Sequence, residues 1–85
     1  MAEYAVGIKT SALKELGRLE SDIVERIFDR IRGLGQEPRP SGCKKLKGDK
    51  ESWRLRVGDY RVIYTIDDKT FRIDITRIRH RKDAY

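Results

Sequence analysis

The stretch WRLRVGDYRVIY, residues 53–64, constrains the fold more than any other part of the chain. Gly58-Asp59 reads as a two-residue loop with glycine first, the kind that closes a tight β-hairpin. So short a loop fixes the register: Val57 opposes Tyr60, Arg56 opposes Arg61, Leu55 opposes Val62 and Arg54 opposes Ile63. Side chains alternate between faces, so Trp53, Leu55, Val57, Tyr60, Val62, Tyr64 and Ile66 share one side. That side is wholly apolar or aromatic, as a face packed under helices must be. Arg54, Arg56 and Arg61 fall together on the other side, although like charges set opposite one another cost up to about 1 kcal/mol per pair.

Upstream, Tyr4, Val6 and Ile8 alternate with small or polar residues and predict a short first strand. Thr10-Ser11 offers an N-cap oxygen to a first helix with Ala12, Leu13, Leu16 and Leu19 on one side, and Gly17 keeps it short. Ser21 can cap a second helix, with Asp22 at the positive end of its dipole. Ile23, Val24, Ile27, Phe28, Ile31 and Leu34 form its apolar stripe. Gly33 and Gly35 mark its end, and Pro38 and Pro40 forbid its return. Beyond Ser41 the period becomes two, predicting strands over 43–47, 53–57, 60–66 and 71–78. The expected fold is α+β, ordered βααβββ: two antiparallel N-terminal helices on one face of a mostly antiparallel twisted sheet. Residues 1–85 are read as one domain, whose short length implies a thin core burying roughly 60–65% of the unfolded surface.

Charge is unevenly placed. Residues 1–38 hold six Lys/Arg against seven Asp/Glu, a net of −1; residues 39–85 hold fourteen against seven, a net of +7. The C-terminal half is therefore expected to meet an anion, nucleic acid first among the candidates. Arginine's planar fork of donors suits phosphate, and an anion among Arg54, Arg56 and Arg61 would explain their crowding. The alternative is a solvated face with Asp74 or Glu51 as counter-charge. In TRIRHRKDAY, uninterrupted alternation would drive Arg77 into the core; a β-bulge near Thr76 would instead return Ile78 to the core and swing Arg77, Arg79 and Arg81 onto the cationic face. His80 is the only histidine and the readiest proton carrier, although its side of the strand depends on that bulge.

Cys43 stands alone, which leaves no internal disulfide and no cysteine metal site. No apolar run approaches the ~20 residues of a membrane span. MAEYAVGIKT has neither the basic start nor the apolar core of a signal peptide, so a soluble, cytoplasmic protein is expected.

KLKG, WRLRVGDYRVIYTIDD and IRHRKDAY together resemble the signature of RelE-type toxins, within the RelE/ParE superfamily of type II toxin–antitoxin systems, over nearly the whole chain. The resemblance implies a metal-independent, cofactor-free mRNA endoribonuclease acting in the ribosomal A site, against 16S rRNA. The 2′-hydroxyl would attack the adjacent phosphate, leaving a 2′,3′-cyclic phosphate and a 5′-hydroxyl. A cognate antitoxin would wrap and neutralise the toxin, and the pair would bind operator DNA through the antitoxin. Carried over by position, Arg54, Arg61, Arg79 or Arg81, and Tyr85 are the implied catalytic residues, with His80 added to them as a proton carrier; Lys45, Lys47, Arg56, Arg77 and Lys82 would bind RNA. Ser52 stands where some active relatives have lysine, and arginine, with a pKa above ~12, is a poor general base. Two other branches remain open: a ParE-like poison of DNA gyrase, and a catalytically silent homologue that only binds antitoxin.

Overall fold

In a computed structural model, which describes residues 3–46 and 52–82, the order is β1 (Ala5–Ile8), α1 (Thr10–Leu16), α2 (Ser21–Leu34), β2 (Lys44–Lys45), β3 (Ser52–Val57), β4 (Tyr60–Asp67) and β5 (Arg72–His80). The five strands form one sheet in the order β1-β5-β4-β3-β2. Three consecutive antiparallel pairings run from β2 to β5, while β1 lies parallel to β5 at the edge. The α+β arrangement expected from the periodicity is the one observed, except that four strands rather than three follow the helices, β2 being only two residues long, and that β1 pairs in parallel.

The hairpin register is as the two-residue loop dictates, from Val57↔Tyr60 to Arg54↔Ile63. Gly58 has φ +59, the left-handed region in which a Cβ is strained. A Cβ there would meet its nearest neighbour, Arg26 Nη2, at an ordinary 3.5 Å, so the cost of substitution lies in the backbone. Gly58→Ala is expected to destabilise the fold by about 1–2 kcal/mol, read as a lower urea midpoint at unchanged slope.

The helix-side core is built from Ala12, Leu16, Ile27, Ile31 and Leu34 against Leu55, Val57, Val62, Tyr64, Ile66, Ile73, Ile75 and Ile78. Burial pushes the Tyr64 phenol up, which keeps it neutral while its hydroxyl donates to the Pro38 carbonyl at 2.8 Å. Leu13, expected on the inner side of the first helix, is exposed instead. The expected hydroxyl caps are also not made. Lys9 and Glu20 hold the N-cap positions with extended backbone, and Thr10 and Ser21 are already helical. Gly35 is needed for a different reason from the one its place suggests. Its φ of −60 is ordinary, but a Cβ would lie 3.1 Å from the Tyr4 carbonyl, where the chain entering β1 crosses the end of α2.

A polar clamp joins distant segments. Asp68, in the turn after β4, accepts from the Tyr4 hydroxyl at 2.6 Å and from Arg39 at 2.9 and 3.3 Å. Arg39 in turn lies 5.0 Å over the Trp53 ring. The hydrogen bonds from Arg39, then that from Tyr4, hold the Asp68 carboxyl below the usual carboxylate range. A carboxyl whose pKa is lower folded than unfolded adds stability above its ordinary pKa and loses it as pH falls. The clamp should therefore weaken progressively below about pH 4. Asp68→Asn is expected to flatten, without abolishing, the acid limb of a stability–pH profile measured by urea titration. Asp67, also held low by the backbone N–H groups of Thr70 and Lys69, contributes to what remains.

Candidate functional site

The face of the sheet away from the helices carries the cations in rows. The β3–β4 and β4–β5 registers align Arg56, Arg61 and Arg79 across three strands. One pleat along, Lys44, Arg54, Ile63 and Arg77 form a second row. Neighbouring strands are ~4.8 Å apart and successive residues on one face ~7 Å apart, so donors recur across the face at intervals of about one nucleotide. The second row exists because of a bulge. Ile63 pairs with Arg77 but Tyr64 pairs with Ile75, so Thr76 is the extra residue. The bulge buries Ile78 and turns Arg77 and Arg79 outward.

Arg61 is at the centre. Partial burial first, then the positive charges of Arg56, Arg54 and Arg81, push its guanidinium below its ordinary pKa. The hairpin tip helps to hold them: Arg56 Nε and Arg61 Nη1 both donate to the Gly58 carbonyl, at 3.3 and 3.4 Å. Arg61 Nη1 also donates to its neighbour's carbonyl, Tyr60 O, at 3.2 Å. Arg81 stays beside the tip because its N–H donates to the Asp59 carbonyl at 2.7 Å.

The counter-charge on Arg79 comes from outside the two carboxylates considered above. Asp74 is occupied with Arg72 at 2.9 Å, in rows further down the sheet, and Glu51 lies outside the described residues. Glu15 of α1 takes the role, with Oε2 2.7 Å from Arg79 Nη1. Its other oxygen, Oε1, accepts the Ile78 N–H at 3.0 Å. Helical periodicity gives no hint of this pairing, since Glu15 is separated from Ile78 by 63 positions.

Two expected members of the face lie elsewhere. His80 pairs with Tyr60, so it points to the side opposite Arg61 and Arg79, edge-on to the Tyr60 ring at 5.2 Å. The bulge that brings the arginines out is what turns His80 away. Its Nδ1 accepts the Lys82 N–H at 3.3 Å. Lys45 pairs with Trp53 and therefore shares the helix-side face; Lys44, opposite Arg54, joins the cationic row in its place. Lys82 is exposed in the turn after β5. Lys47 and Tyr85 lie outside the described residues. Ser52 is buried in a third row, opposite Thr65. Among the described residues, no group of three or more His, Cys, Asp or Glu side chains is placed to hold a metal ion.

What this surface can do is bind and polarise a phosphate. The family model described as "ParE toxin of type II toxin-antitoxin system, parDE" matches residues 6–85. Toxin RelE of Mycobacterium tuberculosis is 37% identical over 84 residues, spanning 96% of this chain and 86% of that protein. Toxin RelG of the same organism is 31% identical over 83 residues, with 96% and 95% covered. Among solved structures, the archaeal RelE-RelB complex from Pyrococcus horikoshii OT3 superposes with a TM-score of 0.85 at 32% identity, covering 96% of this chain and 99% of that one. The toxin-antitoxin complex RelBE2 from M. tuberculosis gives 0.81 at 29% identity, covering 92% and 98%.

Proposed function

The chain belongs to the RelE/ParE superfamily of type II toxins, and from that premise we propose that it is a RelE-like endoribonuclease that cleaves mRNA in the ribosomal A site. The observation that carries this reading is the row Arg56–Arg61–Arg79, backed by Arg54 and Arg77. Guanidinium groups set side by side repel one another and cost a fold stability, whereas a phosphate in transfer gains a great deal.

In the reaction, the 2′-oxygen forms a bond to the adjacent phosphorus and gives up its proton. The bond from phosphorus to the 5′-oxygen breaks, and that oxygen takes up a proton. A 2′,3′-cyclic phosphate and a 5′-hydroxyl remain. The phosphorane-like transition state carries more charge on its oxygens than the substrate does. Donors already aimed at it therefore lower the barrier without weighing equally on the ground state. Arginines fixed across three strands meet that requirement, and Ile63 between Arg54 and Arg77 offers a sugar or base an apolar contact. His80 has no part in this reading, because it faces away. The 16S rRNA and the A-site codon would place the message against the rows, with Arg81 and Lys82 extending the basic surface.

A cognate antitoxin is the protein partner in this proposal, since the P. horikoshii and M. tuberculosis structures are both complexes of a toxin with its antitoxin. The antitoxin would supply operator binding. No described helix is long and apolar enough to cross a membrane.

The test is to add the purified protein to programmed ribosomes carrying a defined mRNA and to map cut sites and end chemistry by primer extension. Cleavage within the A-site codon, leaving a cyclic phosphate, is the expected result. The family model's description names ParE, whereas the similar toxins and solved complexes are RelE proteins, so a gyrase inhibitor is the reading the test must exclude. A supercoiling assay on the same preparation decides between them: gyrase inhibition without cleavage would replace the nuclease reading. Inactivity in both assays would leave a silent homologue.

A further inference from the structure

We propose that Glu15 is the positioning residue of Arg79, an inference that rests on reading the arginine rows as the phosphate site. β1 pairs with β5 only as far as Ile75, so the outer edge of β5 is uncovered by any described strand from Thr76 onward. Glu15 reaches that edge from α1. One carboxylate oxygen holds the Ile78 N–H at 3.0 Å and the other holds Arg79 Nη1 at 2.7 Å. The Glu15 side chain is only 19% exposed, so both bonds are sheltered from water. A carboxylate pinned through one oxygen to the backbone cannot follow Arg79 if that side chain swings. It acts as a fixed post against which the guanidinium is set.

Arginine has five donors, and Glu15 engages one nitrogen of the Arg79 fork, while 39% of that side chain stays exposed. The remaining donors are available to a phosphate drawn in beside Arg61, the direct cross-strand neighbour of Arg79. Two effects of Glu15 then oppose each other. Its charge weakens the general attraction of the face for any anion. Its grip fixes Arg79 in one orientation, so no rotamer freedom is lost when the transition state forms.

Glu15→Gln separates the two. Glutamine has one acceptor oxygen for two donors, so if it keeps the Ile78 N–H it turns its own N–H groups towards Arg79. The variant is expected to bind a non-cleavable RNA, 2′-deoxy at the attacking position, about two- to threefold more tightly at low salt. Its single-turnover cleavage rate on programmed ribosomes should fall by about tenfold or more. A merely structural role would move both in one direction, with the folded fraction. In wild type, restricted rotation of a held guanidinium should separate the Arg79 Nη resonances in ¹⁵N spectra; in Glu15→Gln they should merge. Glu15→Ala, which also abandons the Ile78 N–H, reports how much of any loss is folding.

A Glu15→Gln rate within twofold of wild type overturns the proposal, and so does a rate and affinity that fall together with stability. If wild type cleaves nothing, the nuclease reading fails, and the resonances alone decide. Separated signals that merge in the variant still establish Glu15 as the post for Arg79, and identical spectra refute it.

Discussion

Arg61→Ala is expected to lower single-turnover cleavage by about 10²–10³-fold, the usual effect of deleting one preorganised donor at a developing oxyanion, without lowering the melting temperature. Arg61 stands between Arg56 and Arg79 in its row, and the charges of Arg56, Arg54 and Arg81 bear directly on it. Removing it relieves cross-strand repulsion on both sides, each pair worth up to about 1 kcal/mol. It also gives up the contacts of Nη1 with Gly58 O and Tyr60 O, which lie at long distances of 3.4 and 3.2 Å. The balance favours an unchanged or higher melting temperature, where each kcal/mol shifts a domain of this size by about 4–8 °C. Arg61→Lys keeps the charge but loses the planar fork, so an intermediate rate is expected. Arg30→Ala, an exposed arginine of α2 remote from the rows, should change neither quantity. An Arg61→Ala protein that melts much earlier and cleaves in proportion to its folded fraction would show that the row serves the fold and not the chemistry.

Why some of this is visible in the sequence and some is not follows from the range over which each constraint acts. Gly58-Asp59 closes its strands within two residues, so every pair from Val57↔Tyr60 to Arg54↔Ile63 follows from local geometry. The bulge at Thr76 is also legible, because Arg77 cannot be buried and Ile78 has no reason to be exposed. Once the bulge is fixed, the side taken by His80 follows as well, away from the arginines. β2 is different: it is a two-residue edge strand whose connection to β3 lies outside the described residues, and the exchange of Lys45 for Lys44 on the face turns on one residue of slip. The four residues of β1 carry no mark of their parallel partner. The grip of Glu15 on Arg79 depends on how α1 settles against the uncovered edge of β5, which no local pattern encodes.

Ile27→Ala should have the converse signature, a large loss of stability with the chemistry per folded molecule intact. Ile27 is completely buried, on the stripe of α2 that packs with Leu55, Val62 and Ile73 in the core. Truncation to alanine costs about 2–5 kcal/mol, through lost apolar burial and the cavity left behind. A domain of this length has only about 4–13 kcal/mol in total, at 0.05–0.15 per residue. The urea midpoint should therefore drop by about 40% at the middle of both ranges, at unchanged slope, and Ile27→Val should cost only about 0.5–1.5 kcal/mol. The arginine rows are on the opposite face and owe their alignment to strand register, not to the side chain at position 27. At a temperature where the variant is still folded, its cleavage rate should match wild type. A partner that binds only the folded state at a hundredfold excess over its Kd adds about 2.7 kcal/mol, so an antitoxin should recover much of the lost melting temperature. Were Ile27→Ala instead to fold normally and cleave slowly, the helix layer would be acting on the chemistry through the sheet, and the division between a stabilising face and a reactive face would have to be abandoned.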